Sequence, residues 1–184
     1  MTSDARVRDE GRFAAVDVHY PATGGARAAM VMTADRGFGR TLTERAVTLT
    51  DVAPYEPGRF FVRELPAIRA VLSGVTDLDL IVVDGYVDLD PHGRAGLGAH
   101  VHAEFAVPVI GVAKTAFRAA THARQVRRGR ALRPLYVTAA GIDVEQAAAL
   151  VRDMAGAHRL PDALRRVDAL SRAHDLPAAG RPGR

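Results

Sequence analysis

The chain has 184 residues, 48% of them hydrophobic and 25% charged, which suits one domain of ~100–200 residues with a real core and excludes disorder or a metal-stapled mini-fold. Cysteine is absent, which excludes disulfides, thiolate zinc sites and a cysteine nucleophile. A net charge of +4 permits an anionic partner such as nucleic acid without requiring one.

Residues 1–10 are polar and expected to be loose. Arg12 to Tyr20 (RFAAVDVHY) predicts a strand with an aspartate near its end. Residues 21–25 (PATGG) predict a turn. Ala26 to Thr33 predicts a second strand, and Gly37 to Asp51 a third, with Leu42, Val47 and Leu49 as apolar positions. The period then changes. Arg59 to Leu72 places Phe61, Leu65, Ile68 and Leu72 on one helical face. Asp79 to Asp84 (DLIVVD) reads as a strand buried on both sides. A helix over Ala95–Phe105, a strand over Val107–Ala113 and a short strand over Leu135–Thr138 follow. Asp143, with Gln146 three residues on, resembles a capping box and starts a helix to about Ala155. Pro161 begins a last helix carrying Leu164, Val167 and Leu170. An antiparallel meander feeding β-α units gives an α/β fold, a mixed sheet flanked by helices. One domain over 11–176 is expected, with flexible termini at 1–10 and 177–184. The longest apolar stretch, 105–113, is far short of the ~20 residues of a membrane span, and the N-terminus has no apolar signal region. The expectation is a cytoplasmic protein without a membrane partner.

Three carboxylates stand in unusual places. Asp17 interrupts an apolar strand. Asp84 ends the most apolar strand and precedes Gly85. Glu64 lies in a helix otherwise apolar on its inner side. An ionised carboxylate in such a setting is costly unless paired or metal-bound, and strand ends in α/β sheets are where ligands sit. Converging from separate elements, the three can hold one or two hard cations such as Mg²⁺. Such ions activate water and neutralise phosphate charge in phosphodiester hydrolysis. The competing reading makes each aspartate a turn former or helix cap and Glu64 a solvated helical residue. Lys114 is the only lysine in an arginine-rich chain. Arginine replaces lysine wherever any cation serves, so a surviving lysine points to a need for a compact ammonium.

Six strings in order, VDVHY (16–20), PYEPGRFFVRELP (54–66), VVDG (82–85), GLGAH (96–100), PVIGVAKT (108–115) and HRLPD (158–162), resemble the endonuclease V family over roughly residues 12–170. The resemblance implies a ribonuclease H-like fold. It also implies a metal-dependent nuclease that cuts on the 3′ side of deoxyinosine, or of inosine in RNA, with a role in DNA repair. It places the metal-binding aspartates on Asp17 and Asp84 and the catalytic glutamate on Glu64. A fourth acidic position falls on Asp168, and a lysine near the cleaved phosphate on Lys114. The wedge tyrosine falls on Tyr55, within a rigid turn of Pro54, Pro57 and Gly58, and Gly85 follows the second metal aspartate. Mg²⁺ is the implied cofactor, with Mn²⁺ as a substitute, and DNA or RNA the implied partner.

The chain also departs from the family pattern. Glu56 stands where the wedge motif has an apolar residue, and Leu65 replaces a small glycine. The 85–96 string is one residue longer. Val87 replaces a glycine expected to help cradle the base, and Asp90 or His92 stands in for the family histidine. After Lys114 the family's β-hairpin segment is abbreviated to a stretch in which Arg124, Arg127, Arg128, Arg130 and Arg133 form a basic cluster, either a phosphate contact or a solvated loop. His100 and His102 read as structural. Two alternatives follow from these departures: a non-catalytic nucleic-acid-binding module, or a nuclease of altered substrate, on the same fold.

Overall fold

In the computed structural model the described residues are 8–54, 56 and 61–173. β1 (Glu10–His19) and β2 (Ala26–Asp35) flank the expected turn and pair antiparallel, with Val16 opposite Met30. β3 (Thr41–Leu49) adds antiparallel to β2. Along β1, Phe13 and Ala15 enter one apolar layer and Ala14 and Val16 the other, and all four are buried. A strand buried on both sides needs helices on both sides.

The rest of the chain supplies them. After α1 (Phe61–Leu72), β4 (Leu80–Asp84) returns parallel to β1. After α2 (Leu97–Phe105), β5 (Val109–Ala113) runs parallel to β4. β6 (Arg124–Val126) and β7 (Leu135–Ala140) form an antiparallel hairpin, and β7 pairs with β5. The sheet order is β3-β2-β1-β4-β5-β7-β6. α1 and α2 cover the face bearing Ala14, Val16, Met30, Ile81 and Val83. α3 (Val144–Asp153) and α4 (Asp162–Arg172) cover Phe13, Ala15, Leu80, Val82 and Ile110. Asp143 caps α3, accepting from the backbone N–H groups of Glu145 and Gln146 at 2.9 and 3.1 Å.

The mixed sheet between helices is the α/β architecture expected from the sequence. Five details differ. The apolar position read at Leu42 is 52% exposed, on strand β3 at the sheet edge. The buried stripe of α1 is Glu64, Ala67, Ile68, Val71 and Leu72, so the helix is rolled from the face read in the sequence. The segment read as an abbreviated replacement for a hairpin forms the β6–β7 hairpin, because three residues suffice to pair with β7. Arg128, read as part of a basic cluster, is buried. Its guanidinium donates to the carbonyls of Arg152 at 3.1 Å, Gly156 at 2.9 Å, His158 at 3.0 Å and Met154, stapling the α3–α4 connection. Glu10 opens β1 and Arg36 pairs with Asp9 at 2.8 Å, so the sheet begins inside the stretch read as loose. Among the described residues no helix is long and apolar enough to cross a membrane.

Candidate active site

Strand parity decides where the acids go. Leu80 and Val82 face the α3–α4 layer, so Asp84, two residues on, faces it too. Ala15 sets the same direction for Asp17, and Ile110 and Val112 set it for Lys114. β1, β4 and β5 run parallel and side by side, with Val16 level with Val83 and Asp84 with Val112. Asp17, Asp84 and Lys114 therefore share the carboxyl end and one face of the sheet, where α/β folds place ligands. α4 lies over that face and brings Asp168 and Ser171. Glu64 arrives from the first turn of α1, on the opposite layer.

The contacts are short. Lys114 Nζ lies 2.6 Å from Asp84 Oδ2 and 3.3 Å from Asp168 Oδ1. Ser171 Oγ donates to Asp17 Oδ2 at 2.6 Å, and Arg172 Nε donates to Asp168 Oδ2 at 3.2 Å. Burial pushes the Asp17 carboxyl up, against the Ser171 hydrogen bond and with the help of the charges on Asp84 and Asp168. Burial would also raise Asp168, but Arg172 and Lys114 outweigh it and hold that carboxyl below its ordinary range. Burial opposes the Lys114 ammonium; the two aspartates overcome it and raise its pKa. Glu64 is pushed up to about 9, first by burial and then by the charges of Asp17 and Asp84. Its Oε2 is buried with no hydrogen-bond partner. Among the described residues no three His, Asp or Glu side chains are disposed, as they stand, to hold a metal ion. The cation facing Asp84 and Asp168 is the ammonium of Lys114.

A cavity of about 180 Å³ opens beside Glu64 and Asp84, lined also by Phe61, Gly85, Tyr86, Leu89 and Leu97. Gly85, with φ 135°, turns the chain off β4 in a conformation that disfavours side chains. The turn then passes so close to β5 that a Cβ on Gly111 would sit 2.6 Å from Gly85 O and 2.8 Å from Val87 N. A larger hollow of about 740 Å³ lies at the opposite end of the sheet, between Arg8, Arg36 and α3, and touches none of these groups.

The sequence-derived residues divide accordingly. Asp17, Glu64, Asp84, Lys114 and Asp168 come together, and Gly85 borders them. Pro54 is exposed, and Tyr55, Pro57 and Gly58 lie outside the described residues. Val87 is fully buried in the core, its N–H donating to Thr138 Oγ1 at 2.8 Å. Asp90 is spent on its own loop, accepting from the N–H groups of His92 and Arg94, and His92 is exposed. His100 stacks on Phe61 with centroids 3.6 Å apart, and His102 Nδ1 sits 2.7 Å from Val107 O, so both are structural as read. The sequence reading missed Ser171 and Arg159, whose guanidinium donates to the carbonyls of Lys114 and Pro134.

The family model described as Endonuclease V matches residues 2–131. The chain belongs to the endonuclease V family. The matched span holds Asp17, Glu64, Asp84 and Lys114 and ends before Asp168. The chain is 31% identical to the endonuclease V of Streptomyces coelicolor, over 89% of this chain and 78% of that protein. Its structure is similar to the crystal structure of endonuclease V from Streptomyces avermitilis, with a TM-score of 0.75 and 26% identity over 89% of this chain and 81% of that one. A TM-score of 0.76 at 17% identity, covering 89% of this chain and 84% of the other, relates the fold to that of Ciona intestinalis endonuclease V. That protein was crystallised with a 23mer DNA containing an inosine followed by a ribo-adenosine. This endonuclease V family member has the ribonuclease H-like fold, and membership carries a class of chemistry, that of a nuclease hydrolase.

Proposed function

We propose that this protein is a divalent-metal-dependent endonuclease that hydrolyses a phosphodiester 3′ to a deaminated purine, inosine, in DNA or RNA, in the service of DNA repair. The observation that carries the proposal is the meeting of Asp17, Glu64, Asp84 and Asp168, from four elements, with Lys114, just past β5, at the carboxyl end of the sheet in a chain of this family. The donor set fits a hard cation, because every acidic group is a carboxylate oxygen. The buried, unpartnered Oε2 of Glu64 and the mutual repulsion of Asp17, Glu64 and Asp84 are both relieved by a divalent positive charge. Asp17, Asp84 and Glu64 would hold Mg²⁺, with Mn²⁺ as a substitute. Such an ion, when bound, lowers the pKa of water and neutralises phosphate charge.

The chain's own groups do the rest. Lys114, held charged by its aspartate partners, stabilises negative charge developing on the phosphate. Glu64 orients the attacking water. Asp168 keeps the ammonium in place and, with Asp84, in its charged form. Ser171 fixes the orientation of Asp17. The cavity beside Asp84, apolar with few polar groups, has the character of a base pocket, and Tyr55, with Pro54, Pro57 and Gly58, supplies the wedge that stacks in the gap left by the extruded base.

Purified protein with Mg²⁺ should nick an oligonucleotide carrying a single inosine, and Asp84→Asn should abolish the nick while leaving the melting temperature nearly unchanged. A panel of inosine, uracil, mismatch and flap substrates in DNA and RNA separates inosine preference from altered specificity. The neutralisation of Asp84 by Lys114 favours a second reading, a nucleic-acid-binding module without catalysis. That reading predicts binding and no cleavage on any substrate, for wild type and Asp84→Asn alike.

A further inference from the structure

We infer that Tyr86 is a positioning residue: its phenol latches the segment after Lys114 onto the turn after Asp84, and so keeps the Lys114 ammonium on Asp84. Its catalytic consequence rests on the function proposed above; its structural content does not.

The sheet ladder does not by itself hold Lys114. The β4–β5 pairing ends at Asp84 opposite Val112, and the β5–β7 pairing ends at Ala113 opposite Tyr136. Lys114 and the residues after it lie beyond both. Two side chains take over. On one side, Arg159 donates to Lys114 O and Pro134 O. On the other, Tyr86 uses both capacities of one hydroxyl, donating to Thr115 O at 2.8 Å and accepting from the Phe117 N–H at 2.9 Å. Tyr86 is two residues from Asp84 and Thr115 one residue from Lys114, so the latch joins the backbones that carry the two halves of the 2.6 Å ion pair. The Tyr86 ring also packs against Phe117, with centroids 6.0 Å apart. A lysine side chain has four rotatable bonds and loses much entropy when fixed, so its placement depends on a fixed backbone beneath it.

The single lysine makes the test direct. Protein labelled with ¹³C at lysine Cε yields one lysine side-chain signal, that of Lys114. Asp84→Asn gives the reference position of an ammonium that has lost the Asp84 carboxylate and keeps Asp168. In Tyr86→Phe, which keeps the ring and removes the hydroxyl, the signal should move at least halfway toward that reference. On the substrate that wild type cleaves, kcat should fall about tenfold with KM within about twofold, since a misplaced catalytic group costs turnover rather than binding. A Lys114 signal unmoved in Tyr86→Phe overturns the inference, as does a moved signal with unchanged kcat. In wild type the Phe117 amide should exchange slowly with solvent; fast exchange overturns the latch without recourse to any variant. If wild type cleaves nothing, the proposed function fails, and the lysine signal and amide exchange still decide the latch.

Discussion

At neutral pH the Glu64 carboxyl, with its pKa pushed up to about 9, is protonated in the metal-free protein. In the unfolded chain it ionises near 4.5. Between those values the unfolded state has lost a proton that the folded state keeps. The contribution to stability is therefore complete below about 4.5 and is lost as pH rises toward about 9. Asp17 is shifted in the same sense and acts alike. Asp168, held low by Arg172 and Lys114 against its burial, works the other way and loses its contribution in acid. Glu64→Gln should thus stabilise the metal-free protein at pH 8 by on the order of 5 kcal/mol, with the gain vanishing toward pH 4.5. Thermal melts across that range check it, and a gain independent of pH contradicts it. The three acids stood out in the sequence because each interrupts an apolar pattern. Ser171 and Tyr86 did not, since a serine on a helix and a tyrosine in a loop acquire their roles only through partners 154 and 29 residues away.

At the level of elements, the site depends on how α4 is hung over the sheet. Arg128 ties the connection into α4 through four carbonyls, and α4 then delivers Asp168 and Ser171. Arg128→Met takes the guanidinium from those four carbonyls, of which that of Met154 is buried. It should cost on the order of 3 kcal/mol of stability, read from urea unfolding, and should lower nuclease activity more than an equal loss of stability from Leu164→Ala, which trims the core without freeing the connection. Elements with strong periodicity or a clear cap were legible from the sequence. β4 was read from its apolar run and α3 from Asp143. β6 was not, because Arg124–Val126 has no pattern of its own and becomes a strand only by pairing with Leu135–Val137. The roll of α1 was hidden for a related reason: the buried stripe runs through Glu64 and Ala67, and a rule that seeks large apolar residues centres it on Leu65 instead.

Across the whole molecule, the carboxyl ends of β1, β4 and β5 form one working end. The β6–β7 connection lies at that end too, since Leu135–Tyr136 is where β7 starts beside Ala113. It carries the exposed Arg127, Arg130 and Arg133, while Arg128 anchors it. Exposed cations at this end of the sheet are suited to phosphate contacts. Replacing the three with Gln should weaken binding of a catalytically inert Asp84→Asn protein to a 20-nucleotide duplex and flatten the slope of log affinity against log salt by about 2–3, the count of lost phosphate contacts. An unchanged slope would remove the connection from the interface. The most direct test of the central claim, that Asp17, Glu64 and Asp84 form a cradle for one divalent cation, is a calorimetric titration of Mn²⁺ and Mg²⁺ into wild type and into Asp17→Asn, Glu64→Gln and Asp84→Asn. Saturable binding in wild type, lost or weakened at least tenfold in each variant, is the predicted result. Equal binding in all four proteins, or none in wild type, would contradict it.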